Sequence, residues 1–209
     1  MTSSLEGRPA ERVYARLAPV YDLLYGAMLQ PGRKRAMARL APQAGDLILE
    51  VGVGTGFGLA GYPTDVRIVA VDLSTQMLAK ASRRLMRRRI RQVTLCRMDA
   101  AHLAFDDSTF DAVYAPYVIN TVPDSIAVAR EMRRVCRPGG RIVLLNHFDR
   151  VGEPDDSVSR LIGRIATRIA GVNWSLDFDT FLRESELTPI SVEEVNIARV
   201  SSVVLCRRP

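Results

Sequence analysis

The chemistry-bearing residues of this chain gather around one loop, Glu50-Val51-Gly52-Val53-Gly54-Thr55-Gly56. Glycine belongs where a chain turns tightly off a strand and a ligand must touch backbone. In open α/β sheets such a loop faces the crevice at the carboxyl ends of the strands. Asp72, twenty-two residues beyond Glu50, closes the next apolar run, where a carboxylate can accept both hydroxyls of a ribose. Asp99 supplies a further carboxylate at the end of the following run, able to accept from an adenine amino group. These residues point to a nucleoside cofactor. A dinucleotide fingerprint fits poorly: counted from Gly52, Phe57 stands where its last glycine belongs, and the literal spacing at Gly56, Gly58 and Gly61 starts several residues late. Glu50 would also repel a pyrophosphate while suiting a ligand that carries an ammonium.

The elements that must position these groups alternate. Apolar runs at 47–51, 66–71, 93–96, 110–115 and 141–145 are expected as strands, separated by helical patterns. Ser74 is the expected cap of one helix; another, from about Ser125 to Cys136, should stop at Pro138-Gly139-Gly140. Strands separated by helices give βαβ units, a mostly parallel sheet and helices on both faces, a Rossmann-like α/β fold. Two late runs, 190–197 and 200–205, are expected as an antiparallel hairpin at one sheet edge. The expected layout is one domain over 1–209. Its parts are N-terminal amphipathic helices at 1–44, a cofactor-binding core at 45–151, a helical insertion at 152–188 and a terminal hairpin at 189–209.

The chain has 209 residues, 47% hydrophobic and 25% charged. That composition excludes disordered, collagenous and disulfide-scaffold classes. No apolar run approaches the ~18 residues of a membrane span, and the N-terminus lacks the apolar core of a signal peptide. Three widely spaced cysteines, Cys96, Cys136 and Cys206, imply reduced, packed thiols and no metal site. Charge is uneven: residues 1–100 carry sixteen basic and eight acidic side chains, residues 101–209 thirteen and fifteen. The basic half therefore asks for an anionic partner.

Taken together, Glu50-Val51-Gly-x-Gly-x-Gly, Asp72-Leu73-Ser74, Met98-Asp99-Ala100 and Arg137-Pro138-Gly139-Gly140 resemble the class I S-adenosylmethionine-dependent methyltransferases over residues 45–148. The resemblance implies a seven-stranded sheet with an antiparallel last strand and S-adenosylmethionine as cofactor, with S-adenosylhomocysteine as product and no metal. It implies that Gly52, Gly54 and Gly56, beside Glu50, lie against the methionine part and that Asp72 holds the ribose. Leu73 and Met77 would flank the adenine, Asp99 and Ala100 its edge, and Pro116 and Tyr117 the transferable methyl. The flanks, Val13 to Asp22, Pro31-Gly32-Arg33 and Asn146-His147-Phe148, resemble the soluble bacterial phospholipid N-methyltransferases, which methylate phosphatidylethanolamine stepwise towards phosphatidylcholine. The Ala18-to-Asp22 portion also resembles quinone-biosynthesis C-methyltransferases, so that acceptor class stays open, as does a non-catalytic lipid-binding module.

The acceptor amine must arrive neutral, because an ammonium has no lone pair. Tyr14, Tyr21 and Tyr25 are candidates to hold a cationic headgroup by their ring faces. His147 either binds lipid phosphate or relays the departing proton, or is a satisfied structural histidine; Asn146 is the candidate to orient it. Arg33 is a candidate for a carboxylate or phosphate. Val13, Leu17, Val20, Leu24 and Met28 share a helix face, as do Leu161, Ile162, Ile165 and Ile169, each beside arginines, the pattern of an interfacial helix. The cluster from Lys80 to Arg91 reads at least as well as a solvated face. No aromatics interleave with it, so no nucleic-acid partner is expected; nor is a protein partner implied. The expected location is the cytoplasm, peripherally on the inner face of the cell membrane.

Overall fold

A computed structural model describes residues 29–148, 176–196 and 201–209. Five strands, β1 (Leu47–Val51), β2 (Arg67–Asp72), β3 (Val93–Arg97), β4 (Phe110–Pro116) and β5 (Cys136–Asn146), run parallel. Two more, β6 (Pro189–Val195) and β7 (Ser201–Arg207), complete a seven-stranded sheet in the order β3-β2-β1-β4-β5-β7-β6. β7 is antiparallel to both β5 and β6, so β6 forms the sheet edge. The central strands are apolar on both faces because both are covered: Ile48, Leu49, Val51, Val113 and Leu144 are fully buried.

Helix α1 (Gln30–Leu40), a short 3₁₀ turn (Gly58–Gly61) and α2 (Thr75–Arg88) pack on one face with Leu40, Leu59, Ile68 and Tyr114. Helices α3 (Ser125–Val135) and α4 (Phe178–Ser185) cover the other with Met132, Phe178 and Phe181. The ends of these helices are written locally. Ser74 Oγ accepts from Met77 N–H at 3.3 Å, Asp124 from Ala127 N–H at 2.8 Å and Asp177 from Thr180 N–H at 2.8 Å. Arg87 and Arg88 close α2 where the helix dipole favours cations. Arg35 and Arg39 of α1 both pair with Glu193 of β6, which ties the first helix to the sheet edge.

One boundary differs from the sequence reading. α3 ends at Val135, and Arg137-Pro138-Gly139-Gly140 is built into the start of β5 instead of forming a separate breaker. Gly139 N–H donates to Arg208 O at 2.8 Å and Arg208 N–H to Gly140 O at 3.1 Å. The left-handed turn at Gly139 (φ +74°) is thereby held against the end of β7. The thiols are not joined in disulfides; Cys136 and Cys206 are buried and Cys96 half-buried. The segments 1–28, 149–175 and 197–200 lie outside the described residues, including the first expected helix and most of the expected insertion.

Candidate functional site

Parallel strands deliver their carboxyl ends to one rim, and nearly every sequence-predicted site residue within the described segments stands there. The loop after β1 is wound tightly by three left-handed glycines, Gly52 (φ +70°), Gly54 (φ +55°) and Gly56 (φ +72°). Gly52 and Val53 both donate to Val71 O, at 2.9 and 3.0 Å, locking the loop to the end of β2. Asp72 is built into it: Gly54 N–H donates to Oδ2 at 2.7 Å and Ser74 N–H to Oδ1 at 2.9 Å. These two backbone donors hold both oxygens of the carboxylate at the rim. A Cβ on Gly54 would meet nothing within 4 Å, whereas one on Gly52 would lie 2.4 Å from Val118. The loop is thus packed on one side and open on the other.

Leu73 follows Asp72 and is 45% exposed, unusual for a large apolar side chain in this protein. Met77 and Ala100 are half-buried and Asp99 is exposed. Asp99 accepts from Ala101 N–H at 3.0 Å and lies 3.6 Å from His102. These four residues sit along the β2 and β3 ends, beside the aspartate.

Glu50 is buried beneath the loop and accepts from Tyr62 O–H at 2.7 Å. Burial raises its carboxyl from an ordinary 4.5 to about 7, with the Tyr62 hydrogen bond and the charge of Arg33 pulling the other way. Tyr114, whose hydroxyl finds no hydrogen-bond partner among the described residues, shares that interior, and its pKa is raised by burial and by Glu50. The folded chain therefore holds a proton on Glu50 that the unfolded chain releases between pH 4.5 and 7, and stability falls as pH rises through that window. Glu50→Gln should remove about 3 kcal/mol of this fall, read from denaturant unfolding at a series of pH values. An unchanged slope in the variant would disprove the buried titration.

The second half of the rim is a hydrogen-bonded cluster. Because β7 runs antiparallel, its first residue, Ser201, and Asn196 after β6 arrive beside the end of β5. Asn196, itself left-handed (φ +71°), accepts from Gly32 N–H at 2.8 Å. Its amide donates to Tyr117 O–H oxygen and to Ser201 Oγ, each at 2.9 Å. Ser201 Oγ is 3.1 Å from His147 Nδ1, and the His147 ring lies 5.6 Å from that of Tyr117. Tyr117 holds a left-handed backbone (φ +57°), with its N–H donating to Leu145 O at 2.6 Å. A non-glycine residue in that region marks a constrained position. Arg33 stacks over Tyr117 at 5.1 Å and over Phe57 at 5.5 Å.

Asn146 does not orient His147 as expected. Its amide is buried with neither atom partnered among the described residues, while Ser201 and Tyr117 hold the ring. The reason is pleating: successive residues at the end of β5 point to opposite faces. Pro116 is buried beside Tyr117. Tyr14, Tyr21 and Tyr25 lie outside the described residues. Sequence reasoning missed Asn196, Ser201, Phe57 and Arg84, all of which hold or border predicted residues. The one available signal was Asn196, since asparagine tolerates a left-handed turn better than most residues. The cluster from Lys80 to Arg91 divides: Ala81 and Leu85 face the sheet, whereas Arg84 stacks over Phe57 at 5.3 Å.

Comparison with known proteins agrees with this fold. A methyltransferase-domain family model matches residues 49–144. A phosphatidylethanolamine N-methyltransferase of Cereibacter sphaeroides is 37% identical over 188 residues, covering 86% of this chain and 90% of that one. A demethylmenaquinone methyltransferase of Bacillus cereus is 30% identical over 141 residues, covering 64% and 60%. Among solved structures, the geranyl diphosphate C-methyltransferase of Streptomyces coelicolor, crystallised with Mg2+, geranyl diphosphate and S-adenosylhomocysteine, shares the fold. It aligns with a TM-score of 0.69 at 18% identity, covering 85% of this chain and 76% of that one.

Proposed function

Because this chain belongs to the class I S-adenosylmethionine-dependent methyltransferases, we propose that its acceptor is the amine of phosphatidylethanolamine and of its partly methylated forms, carried towards phosphatidylcholine. The observation that carries this reading is the reach of the likeness to the phospholipid enzyme, which extends well beyond the cofactor core into both flanks. The likeness to the demethylmenaquinone enzymes spans a smaller share of the chain. A quinone C-methyltransferase is the second reading, favoured by those same relatives.

The chain's residues fit the cofactor. Gly54 leaves open space where a side chain would stand, Asp72 sets a carboxylate beside that space of the type a ribose diol needs, and exposed Leu73 offers an apolar cover for an adenine. Gly52, Gly54 and Gly56 border the methionine part, with Glu50 behind them; Met77, Asp99 and Ala100 border the base. When bound, the sulfonium supplies an electrophilic methyl for in-line displacement. The protein's work is placement at near-attack distance. Tyr117 is fixed by Asn196 and by its own backbone, and Pro116 beside it shapes the floor under the reacting nitrogen. The amine would lose its proton before its lone pair forms the new N–C bond, while the methyl's bond to sulfur breaks and S-adenosylhomocysteine leaves. His147, held at Nδ1 by Ser201, is assigned to take that proton, and Tyr21 to hold the headgroup.

The test is transfer of a labelled methyl to phosphatidylethanolamine vesicles compared with a demethylated quinone. His147→Ala and Tyr21→Ala should lower lipid turnover by about tenfold or more while leaving cofactor affinity unchanged. Normal lipid methylation in both variants would remove these residues from the mechanism. The basic half of the chain is assigned to docking at the inner, anionic face of the cell membrane. Vesicles containing anionic lipid should recruit the protein and release it at high salt, and equal partitioning to neutral vesicles would refute that docking. No described helix is long and apolar enough to cross a membrane.

A further inference from the structure

Beside the glycine loop, a cleft of about 720 Å3 opens between α1, the 3₁₀ turn and α2. Five cations line it, Arg33 and Lys34 from α1 and Arg84, Arg87 and Arg88 from α2, and among the described residues no carboxylate lines it. Phe57 stands between the two helices with the Arg33 guanidinium 5.5 Å and the Arg84 guanidinium 5.3 Å from its ring centre. Arg84 is further steadied by a 3.4 Å contact from Nη1 to Thr55 Oγ1. Arg33 Nη1 is buried with no hydrogen-bond partner among the described residues. Pro116, at the end of β4, closes the cleft on the side of the cofactor loop.

We propose that this cleft binds the phosphodiester of the acceptor lipid's headgroup, with Arg33 and Arg84 as its direct ligands. The inference rests on the phospholipid reading above and gives it a recognition site. Five cations on the walls of one cleft give it a positive field that attracts an anion. Guanidinium forks suit a phosphate because each can donate two parallel hydrogen bonds, and stacking on Phe57 pre-sets both planes. An ethanolamine headgroup separates its nitrogen from phosphorus by only two carbons. A phosphate held here therefore keeps the amine close to Pro116 and Tyr117. The same positive field disfavours the ammonium form, which helps the nitrogen arrive with its lone pair.

The experiment uses the full chain loaded with S-adenosylhomocysteine and titrates glycerophosphoethanolamine, a soluble phosphodiester headgroup, by calorimetry. Wild type should bind it, and Arg33→Gln and Arg84→Gln should each weaken binding about tenfold or more. Arg67→Gln, at the opposite end of the sheet, should not. Ethanolamine alone should not compete, and inorganic phosphate should bind more weakly than the diester. Unchanged affinity in both variants, equal binding of ethanolamine, or inorganic phosphate binding as tightly as the diester would overturn the proposal. So would capture of single-stranded RNA in place of the diester. Phosphatidylethanolamine methylation by wild type is read separately. Its absence, with arginine-dependent diester binding intact, would refute the proposed reaction and leave the cleft's assignment standing.

Discussion

Asp72→Ala should abolish S-adenosylmethionine binding at ordinary cofactor concentrations while the chain remains folded. The carboxylate accepts from Gly54 and Ser74 backbone N–H groups at 2.7 and 2.9 Å, so it fixes the loop, and it is the group assigned to the ribose. Hydrogen bonds to a charged group contribute about 1.5–3 kcal/mol each, so losing two to the ribose alone weakens binding by roughly 100-fold or more. The loosened loop adds to that loss. Asp72→Asn separates the effects, since its amide keeps one acceptor oxygen for the loop and loses the charge. Titration calorimetry reads both variants against wild type, with circular dichroism as the folding check. Wild-type affinity in Asp72→Ala would place the cofactor elsewhere.

Gly52→Ala should damage the fold most, and Gly54→Ala should damage binding far more than the fold. A Cβ at residue 52 would stand 2.4 Å from Cγ2 and 2.6 Å from Cβ of Val118, with a φ of +70° that L side chains resist. Overpacking and left-handed strain together cost about 2–5 kcal/mol, a fall in Tm on the order of 5–15 °C for a chain of this size. At Gly54 the φ is +55° but nothing lies within 4 Å. There the added methyl costs about 1–2 kcal/mol of strain and intrudes on the space assigned to the cofactor. Thermal unfolding and calorimetry on both variants make the contrast measurable. Trimming Val118 to alanine should restore part of the Gly52→Ala loss. Equal Tm values for the two glycine variants would contradict this packing of the loop.

Legibility from sequence followed the range of the interactions. The glycine-loop side of the candidate site was readable because its parts are local: a glycine loop off one strand, an aspartate at the end of the next, a serine cap two residues on. Each is fixed by the backbone within a few residues of itself. The fold was readable for the same reason, with apolar runs and caps setting the strands and helices of the parallel half. Asn196, Ser201 and Arg84 were not readable. Asn196 contacts Gly32 across 164 residues and Tyr117 across 79, a juxtaposition that only β7's antiparallel return creates. Arg84 looked like one of seven basic residues on a solvated helix, and nothing in its spacing distinguishes it. Its turn towards Phe57 depends on how α2 packs against the glycine loop through Ala81. His147 was legible as a rim residue, but its neighbour Asn146 was a poor guess for its partner because strand pleating separates adjacent side chains.

A competition assay tests the central claim most directly. Vesicles holding phosphatidylethanolamine and a demethylated quinone in one preparation would be incubated with labelled S-adenosylmethionine and the full chain, and the extracted products separated. Label is expected in mono-, di- and trimethylated phosphatidylethanolamine, lost with Asp72→Ala, and none in the quinone. Label confined to the quinone would contradict that claim.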